Sequence, residues 1–332
     1  MKRTAFVAFV GASLLYSIAS AAPRELKIAV VAKSSSNFVF LPARRGAEDA
    51  AQALSRTLGA RIEVAWLTPD HEDAALQAEA VRQAVSQGMG AVLIACSEAG
   101  TLTPAINQAV ERGLAVMTFD SDAPGSRRFA FYGADDADVG EKVMAEVAGL
   151  LSGRGKVAVL AGNAAAPNLK ARADAARRTA GRFPGLEVVE VVHHVETPQD
   201  AVAAVLKTEA AHPDLAGWAM VGGWPLFRSS QSLAFMEDLK KRGLKVVAVD
   251  ALPEQLSYVD RGLVPVLWAQ PTYLWGKVGV ESIVDKVLLG KTVPERVTMD
   301  LVRVSRQNLG SWSRQLKGWG FSGIPDEYLR LE

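Results

Sequence analysis

The sequence holds a single cysteine, Cys96, among 332 residues. No intrachain disulfide can form, so the fold must rest on its hydrophobic cores. Cys96 itself ends a short apolar run and reads as a small buried side chain. Excess charge of one sign is also missing. Lys and Arg number 37 against 36 Asp and Glu, and such balance argues against nucleic acid or an anionic membrane surface as a partner. Beyond the N-terminal segment no apolar run reaches the ~18 residues that a membrane helix needs. Nucleotide and serine-hydrolase chemistry lose their usual support, because G-x-x-x-x-G-K-S/T and G-x-S-x-G are absent and no G-x-G-x-x-G opens a helix after a strand. The four histidines, His71, His193, His194 and His212, lack metal-ligand spacing, and His193 and His194 on a continuing strand would face opposite sides. No metal, cofactor or catalytic residue is expected.

The N-terminus, by contrast, carries the plan of an export signal. Lys2 and Arg3 precede an apolar stretch from Ala5 to Ile18, broken by Gly11 and Ser13, and the small residues Ala19 to Ala22 close it. Residues 1–22 are therefore expected to be a cleaved signal peptide, with the mature chain released into the periplasm. No cysteine follows the cleavage region, which speaks against a lipid anchor there. About 310 residues then remain, enough for two domains with a core each.

Short β-rich runs alternate with helical patterns along this remainder. Leu26 to Ala32, Arg61 to Leu67, Ala91 to Ala95 and Ala115 to Phe119 read as strands of a parallel sheet flanked by helices. In the first helix Ala47, Ala50, Ala51, Leu54 and Leu58 share one face. Thr103 followed by Pro104 reads as a cap and first helical residue, with Gly113 as the stop. The same grammar then repeats through Lys156 to Ala161, Leu186 to Val192, Trp218 to Val221, Lys245 to Val249 and Val264 to Ala269. Helices start near Asn168, Pro198 and Ser230, Thr197 before Pro198 repeats the cap device, and Gly243 repeats the stop. The helix from Tyr273 to Leu289 is expected to return to the first half, and the tail from Asn308 to Glu332 to wrap against the body.

Polar residues sit just beyond several strand ends, where α/β sheets bind ligands. Asp120, Asp250 and Gln270 each follow a strand directly. Aromatic residues accompany them: Phe38 and Phe40 after the first strand, Trp224 after Val221, and Trp268 and Trp275 around Gln270. Carboxylates that accept hydroxyl protons, an amide that both donates and accepts, and flat apolar rings suit a carbohydrate, with its polar rim and C–H faces. For each acid a helix cap, and for each Trp core packing, is the competing explanation.

These residues resemble the type I periplasmic sugar-binding proteins of ABC transporters, the ribose-binding-like family, from about Lys27 to about Val304. Asn37 and Phe40 stand where that family's first-strand loop supplies an Asn and an aromatic. Asp120, in Thr118-Phe119-Asp120-Ser121-Asp122, matches the acid after the fourth strand, and Arg172 matches an Arg of the second lobe that hydrogen-bonds ring or anomeric oxygens. Asp250 and Gln270 match the acid and amide that complete the ring, and Trp224 is added as a cover for an apolar sugar face. Ribose binders carry an Arg where Ser121 stands and an Asn-Asp pair where Gly222-Gly223 stands, so a sugar other than ribose is implied.

The resemblance implies an α/β fold of two Rossmann-like lobes, residues 25–134 with 271–295 and residues 135–270 with 296–332. Three hinge segments near Ala134, Gln270 and Glu295 would join them. It implies a monomer that captures a neutral monosaccharide or polyol and delivers it to an ABC transporter permease, with no nucleic-acid partner. The residues alone leave open a receptor for a sugar-like signal and a secreted carbohydrate-active enzyme using Asp120 and Asp250 as its acid-base pair. The export reading carries the first prediction: mass spectrometry of the exported protein should find its N-terminus at or near Ala22 or Pro23, and a major membrane-held species starting at Met1 would contradict it.

Overall fold

The structure, a computed structural model, describes residues 24–227 and 230–332, the side chains of Ser230 and Gln231 excepted. The expected signal peptide lies outside the described residues. Two sheets organise the chain. In the first lobe β1 (Glu25–Val31), β2 (Arg61–Trp66), β3 (Ala91–Ile94), β4 (Ala115–Phe119) and β5 (Ala130–Gly133) run parallel. Between the first four lie α1 (Leu41–Leu58), α2 (Ala74–Ser86) and α3 (Ala99–Glu111). Strands such as β3 are buried along their whole length, as a parallel sheet covered on both faces requires.

Residues 134–135 cross to the second lobe, which opens with α4 (Asp136–Leu150) and β6 (Arg154–Leu160). The pattern then repeats through α5 (Pro167–Ala180), β7 (Gly185–Val192), α6 (Pro198–Ala211), β8 (Leu215–Met220), α7 (Ser230–Lys241), β9 (Lys245–Val249), α8 (Leu256–Asp260) and β10 (Val266–Ala269). Residues 270–272 cross back into α9 (Tyr273–Val287), which packs along α1 and leads to β11 (Arg296–Thr298). A last crossing reaches β12 (Val302–Val304), α10 (Leu309–Gly318) and α11 (Asp326–Leu329) in the second lobe. Strand order is β2-β1-β3-β4-β5-β11 in one sheet and β7-β6-β8-β9-β10-β12 in the other. The orders are equivalent, and only β12 runs antiparallel to its neighbour. This is the doubly wound arrangement of two Rossmann-like lobes, and its ligand position lies at the strands' carboxyl ends, where the strand order reverses.

Three details depart from the sequence reading. The third crossing lies between Thr298 and Val302, beyond the expected Glu295, because Arg296, Val297 and Thr298 pair with Phe131, Tyr132 and Gly133. The open edge of β5 is what recruits them, and the Arg296 guanidinium settles 4.8 Å from the Phe131 ring centroid. Helix α3 starts at Ala99 with Glu98 as its cap, so Thr103 and Pro104 lie inside it. The Thr103 hydroxyl donates to the Ala99 carbonyl at 2.7 Å, a back-bond available only within a helix. The first-helix face is buried through Ala51, but Leu58 emerges at the last turn before Gly59 takes the left-handed stop. By contrast Thr197 does cap α6 ahead of Pro198, accepting from the Asp200 amide.

One close approach sets the geometry of the second lobe. A Cβ on Gly140 of α4 would lie 2.0 Å from the Arg172 carbonyl oxygen of α5, so only glycine allows these two helices their separation. Gly140→Ala must push α5 outward, and chemical denaturation should show a loss of ~1 to 3 kcal/mol. Unchanged stability would mean that the two helices adjust freely.

Candidate functional site

Each lobe delivers its polar side chains from the turns after its strands. In the first lobe the chain leaving β1 carries Lys33 and Asn37 and then a single turn of 3-10 helix, Phe38–Phe40, while Asp120 follows β4. In the second, Asn168 and Arg172 lie on α5, Gly222 and Trp224 follow β8, Asp250 follows β9 and Gln270 follows β10. Asp120 and Asp250 occupy equivalent places in the two lobes and share an unusual backbone. Their φ angles are +56° and +71°, left-handed values that Asp tolerates better than most residues. Their amides donate to the Tyr132 and Trp268 carbonyls, at 3.1 Å and 3.0 Å, so each acid is tied to the next strand while the chain turns away.

All seven expected residues, Asn37, Phe40, Asp120, Arg172, Trp224, Asp250 and Gln270, line one cavity between the lobes with about 350 Å³ of empty space. Arg172 is its organising group. The guanidinium is buried and donates to Asp136 at 2.8 Å, to the Val221 carbonyl at 3.2 Å and to Gln270 Oε1 at 2.9 Å, with Asp120 at 4.0 Å. Gln270 in turn donates to Asp250 Oδ1 at 2.9 Å. Contacts also cross between lobes. Asn168 donates to Asp120 at 3.4 Å, Lys33 reaches Glu196 and Asn168 at 3.5 Å each, and Asn163 donates to Glu72 at 3.0 Å.

The rings divide into those on the cavity and those behind it. Phe40 and Trp275 have centroids 5.7 Å apart and Phe119 packs behind them. The Trp275 Nε1 is buried without a protein partner, a donor that a ligand oxygen can satisfy. On the opposite wall Trp224 is held edge-on to His194 at 4.7 Å. A Cβ at Gly222 would lie 2.3 Å from the Trp224 ring, so this glycine admits the indole, whereas a Cβ at Gly223 would lie 2.3 Å from the Gln255 amide and 2.7 Å from the Val249 carbonyl oxygen. Trp268 stands apart from the cavity, in the second lobe's core with the Lys142 ammonium 5.6 Å from its ring.

Lys33, Asn168 and Glu196 belong to the same cavity although the sequence reading did not place them in the site, and Trp275, expected only as an aromatic near Gln270, lines it as well. Lys33 obeys the strand-end rule that found Asp120, and only its type, usually solvated, hid it. Asn168 and Glu196 lie on a helix and in a loop whose approach to the other lobe has no local sequence mark. His193 and His194 follow the end of β7 at Val192, so the strand alternation expected of them does not apply, and both line a second, outer cavity with Glu72, Asn163 and Glu196. Among the described residues no group of three or more His, Cys, Asp or Glu is disposed to hold a metal ion.

Burial dominates the electrostatics. It pushes the Asp120 carboxyl up to about 6, against the pull of Lys33 and Arg172. Asp250 and Asp136 are raised for the same reason, opposed by Gln270 and Arg172 for the first and by Arg172 for the second. Burial works against the Lys33 charge too, but Glu196, Glu72 and Asp120 together outweigh it and hold the ammonium above its ordinary value. The site therefore presents desolvated acceptors that call for hydroxyl donors, beside cations that call for oxygen.

Two equivalent lobes, three crossings and an enclosed polar cavity between the lobes define the class: a two-lobed binding protein. The chain matches the periplasmic binding protein domain over residues 28–292 and belongs to that family. Its fold is also that of solved sugar-binding proteins. It is similar to an ABC transporter solute-binding protein from Burkholderia graminis in complex with D-arabinose, with 23% identity over 87% of this chain and 98% of that one and a TM-score of 0.77. It is similar to GanP, a glucose-galactose binding protein from Geobacillus stearothermophilus, with 19% identity, 86% and 99% coverage and a TM-score of 0.75. A solute-binding protein from Agrobacterium vitis bound with α-D-tagatopyranose gives 20% identity, 86% and 96% coverage and a TM-score of 0.75. Family membership places the protein outside the cytoplasm and among binding proteins rather than enzymes, and the acid-base reading of Asp120 and Asp250 is set aside.

The Asp120 carboxyl gives the site a pH signature. With a folded value near 6 against an ordinary 3.8, the folded state holds a proton that the unfolded chain releases between those values. Its contribution to stability is therefore present at low pH and is lost as the pH rises through about 6. Asp120→Asn mimics the protonated form. In the ligand-free protein the melting-temperature gap between this variant and wild type should narrow as the pH falls from about 6 toward 3.8; a constant gap would mean that Asp120 is not desolvated in solution.

Proposed function

We propose that the protein captures a neutral monosaccharide or polyol between its lobes and delivers it to the permease of an ABC transporter. The observation that carries this reading is the meeting of acceptors, donors and rings from both lobes on one enclosed cavity. Asp120 and Asp250 accept hydroxyl protons, Arg172, Lys33 and Asn168 offer hydrogens to ring and hydroxyl oxygens, and Gln270 serves both ways. Phe40, Trp275 and Trp224 cover C–H faces. Asn37 holds the first loop, its side chain accepting from the Val39 amide at 3.3 Å, and turns Phe40 to the cavity. The sugars named with the similar structures support the ligand class.

On this reading the chain works as an exported monomer after loss of residues 1–22, and closure of the lobes is what the permease reads. Ser121 is buried with its hydroxyl unpartnered, Gly222 admits Trp224 and Gly223 fits against Gln255 and Val249, so neither wall offers the groups that ribose binders place there. Calorimetry with a panel of pentoses, hexoses and polyols tests the proposal. One or more should bind at unit stoichiometry without turnover, and ribose should not be the tightest. Asp250→Ala should weaken the best of them by roughly 1.5 to 3 kcal/mol, the worth of a charge-assisted hydrogen bond. No binding across the panel, or product formation from any member, would overturn the reading.

A further inference from the structure

The tail beyond β12 lies outside the matched family domain, residues 28–292, yet it touches the site's support on one lobe and the hinge helix on the other. Trp312 of α10 is buried and its Nε1 donates to the Ala251 carbonyl at 2.7 Å. Ala251 directly follows Asp250, whose left-handed φ of +71° needs outside support to persist. Trp312 meets Trp319 edge to face at 5.7 Å, and Trp319 stacks on Tyr273 at 5.6 Å and 11°. Tyr273 opens α9 three residues after Gln270, and its hydroxyl donates to Asp49 of α1 at 3.2 Å. An unbroken line of contacts thus runs from the turn that carries Asp250, in the second lobe, to two helices of the first. None of these tail residues lines the cavity.

We propose that Trp312 and Trp319 are positioning residues for ligand capture. The first fixes the Asp250 turn through the Ala251 carbonyl, and the second straps that turn to Tyr273, so the tail couples the ligand acid to the relative setting of the lobes. Core packing alone does not explain the arrangement. A buried indole N–H needs some acceptor, but a merely packed tail has no need to find it in the turn beside the site and at the same time to stack a ring on the other lobe. The role of Asp250 as a ligand group rests on the sugar-binding reading; the strap between lobes does not.

Hydrogen exchange on the ligand-free full chain tests the strap. Trp312→Phe keeps the ring and loses the N–H, and should raise exchange over Ala251 to Leu256 by about tenfold, the scale of one lost hydrogen bond. Trp319→Ala should raise it by a similar factor, about tenfold, in the first turns of α1 and α9, on the other lobe. Trp319→Tyr, which restores a stacking ring, should return it toward wild type, with β8 and β9 unchanged throughout. Should Trp319→Ala not fold, Tyr273→Leu breaks the same stack from the other side. No rise at these segments, or an equal rise across the whole chain, would overturn the proposal. Titration with D-arabinose, D-galactose and D-tagatose adds the ligand arm. Whichever saturates wild type should bind Trp312→Phe about tenfold more weakly, and equal affinity would overturn the link to Asp250. If none of the three binds wild type, the sugar reading loses its support while exchange still decides the strap.

Discussion

The buried guanidinium of Arg172 is the constraint on which the rest of the site depends. A desolvated cation must be surrounded by acceptors or it destabilises the fold by several kcal/mol, and here the acceptors come from separate parts of the chain. Asp136 stands just after the first crossing, Gln270 begins the second, Val221 directly follows β8, and Asp120 belongs to the other lobe. Satisfying one side chain therefore fixes two of the three hinge segments against the second sheet. The same side chain lines the cavity and braces the architecture, and truncating it would strand Asp136 without its partner.

Around that cation the protein holds its carboxylates in an expensive state. Asp120, Asp136 and Asp250 all sit above their ordinary values because water has been removed from them. Lys33 and Arg172 offset part of this and the rest is left open. Sites that function commonly retain such tension. Here it has a direction, since Asp120 and Asp250 face the cavity with acceptor capacity beyond the donors that Asn168 and Gln270 supply, and hydroxyl groups would fill it.

The fold was legible because its grammar is regular. Apolar runs ending in Asp120, Asp250 and Gln270 mark strand ends, and strand ends in a doubly wound sheet converge. What escaped notice had physical reasons. Arg296–Thr298 is too short to carry a periodic signal and exists as a strand only because β5 offers an open edge. Thr103-Pro104 imitates a helix start, but the helix had already begun at Ala99. Lys33 was passed over because lysine after a strand is ordinarily solvated, and only the opposing Glu196 from the other lobe makes it a buried group. Pairings between lobes leave no trace in local spacing, which is why Asn168 and Glu196 emerged from the structure alone, as did the partners of the tail tryptophans, whose packing against the body was expected.

The enclosure of the cavity has a kinetic meaning. Phe38 meets Phe227 across the mouth with ring centroids 6.2 Å apart, and the Lys33–Glu196 and Asn163–Glu72 pairs hold the lobes together on the other flank. On the proposed reading, a molecule held there would leave only after those latches part. Residence time is then governed largely by how often the protein opens rather than by the identity of its cargo. Whatever partner pries those contacts apart controls the moment of release.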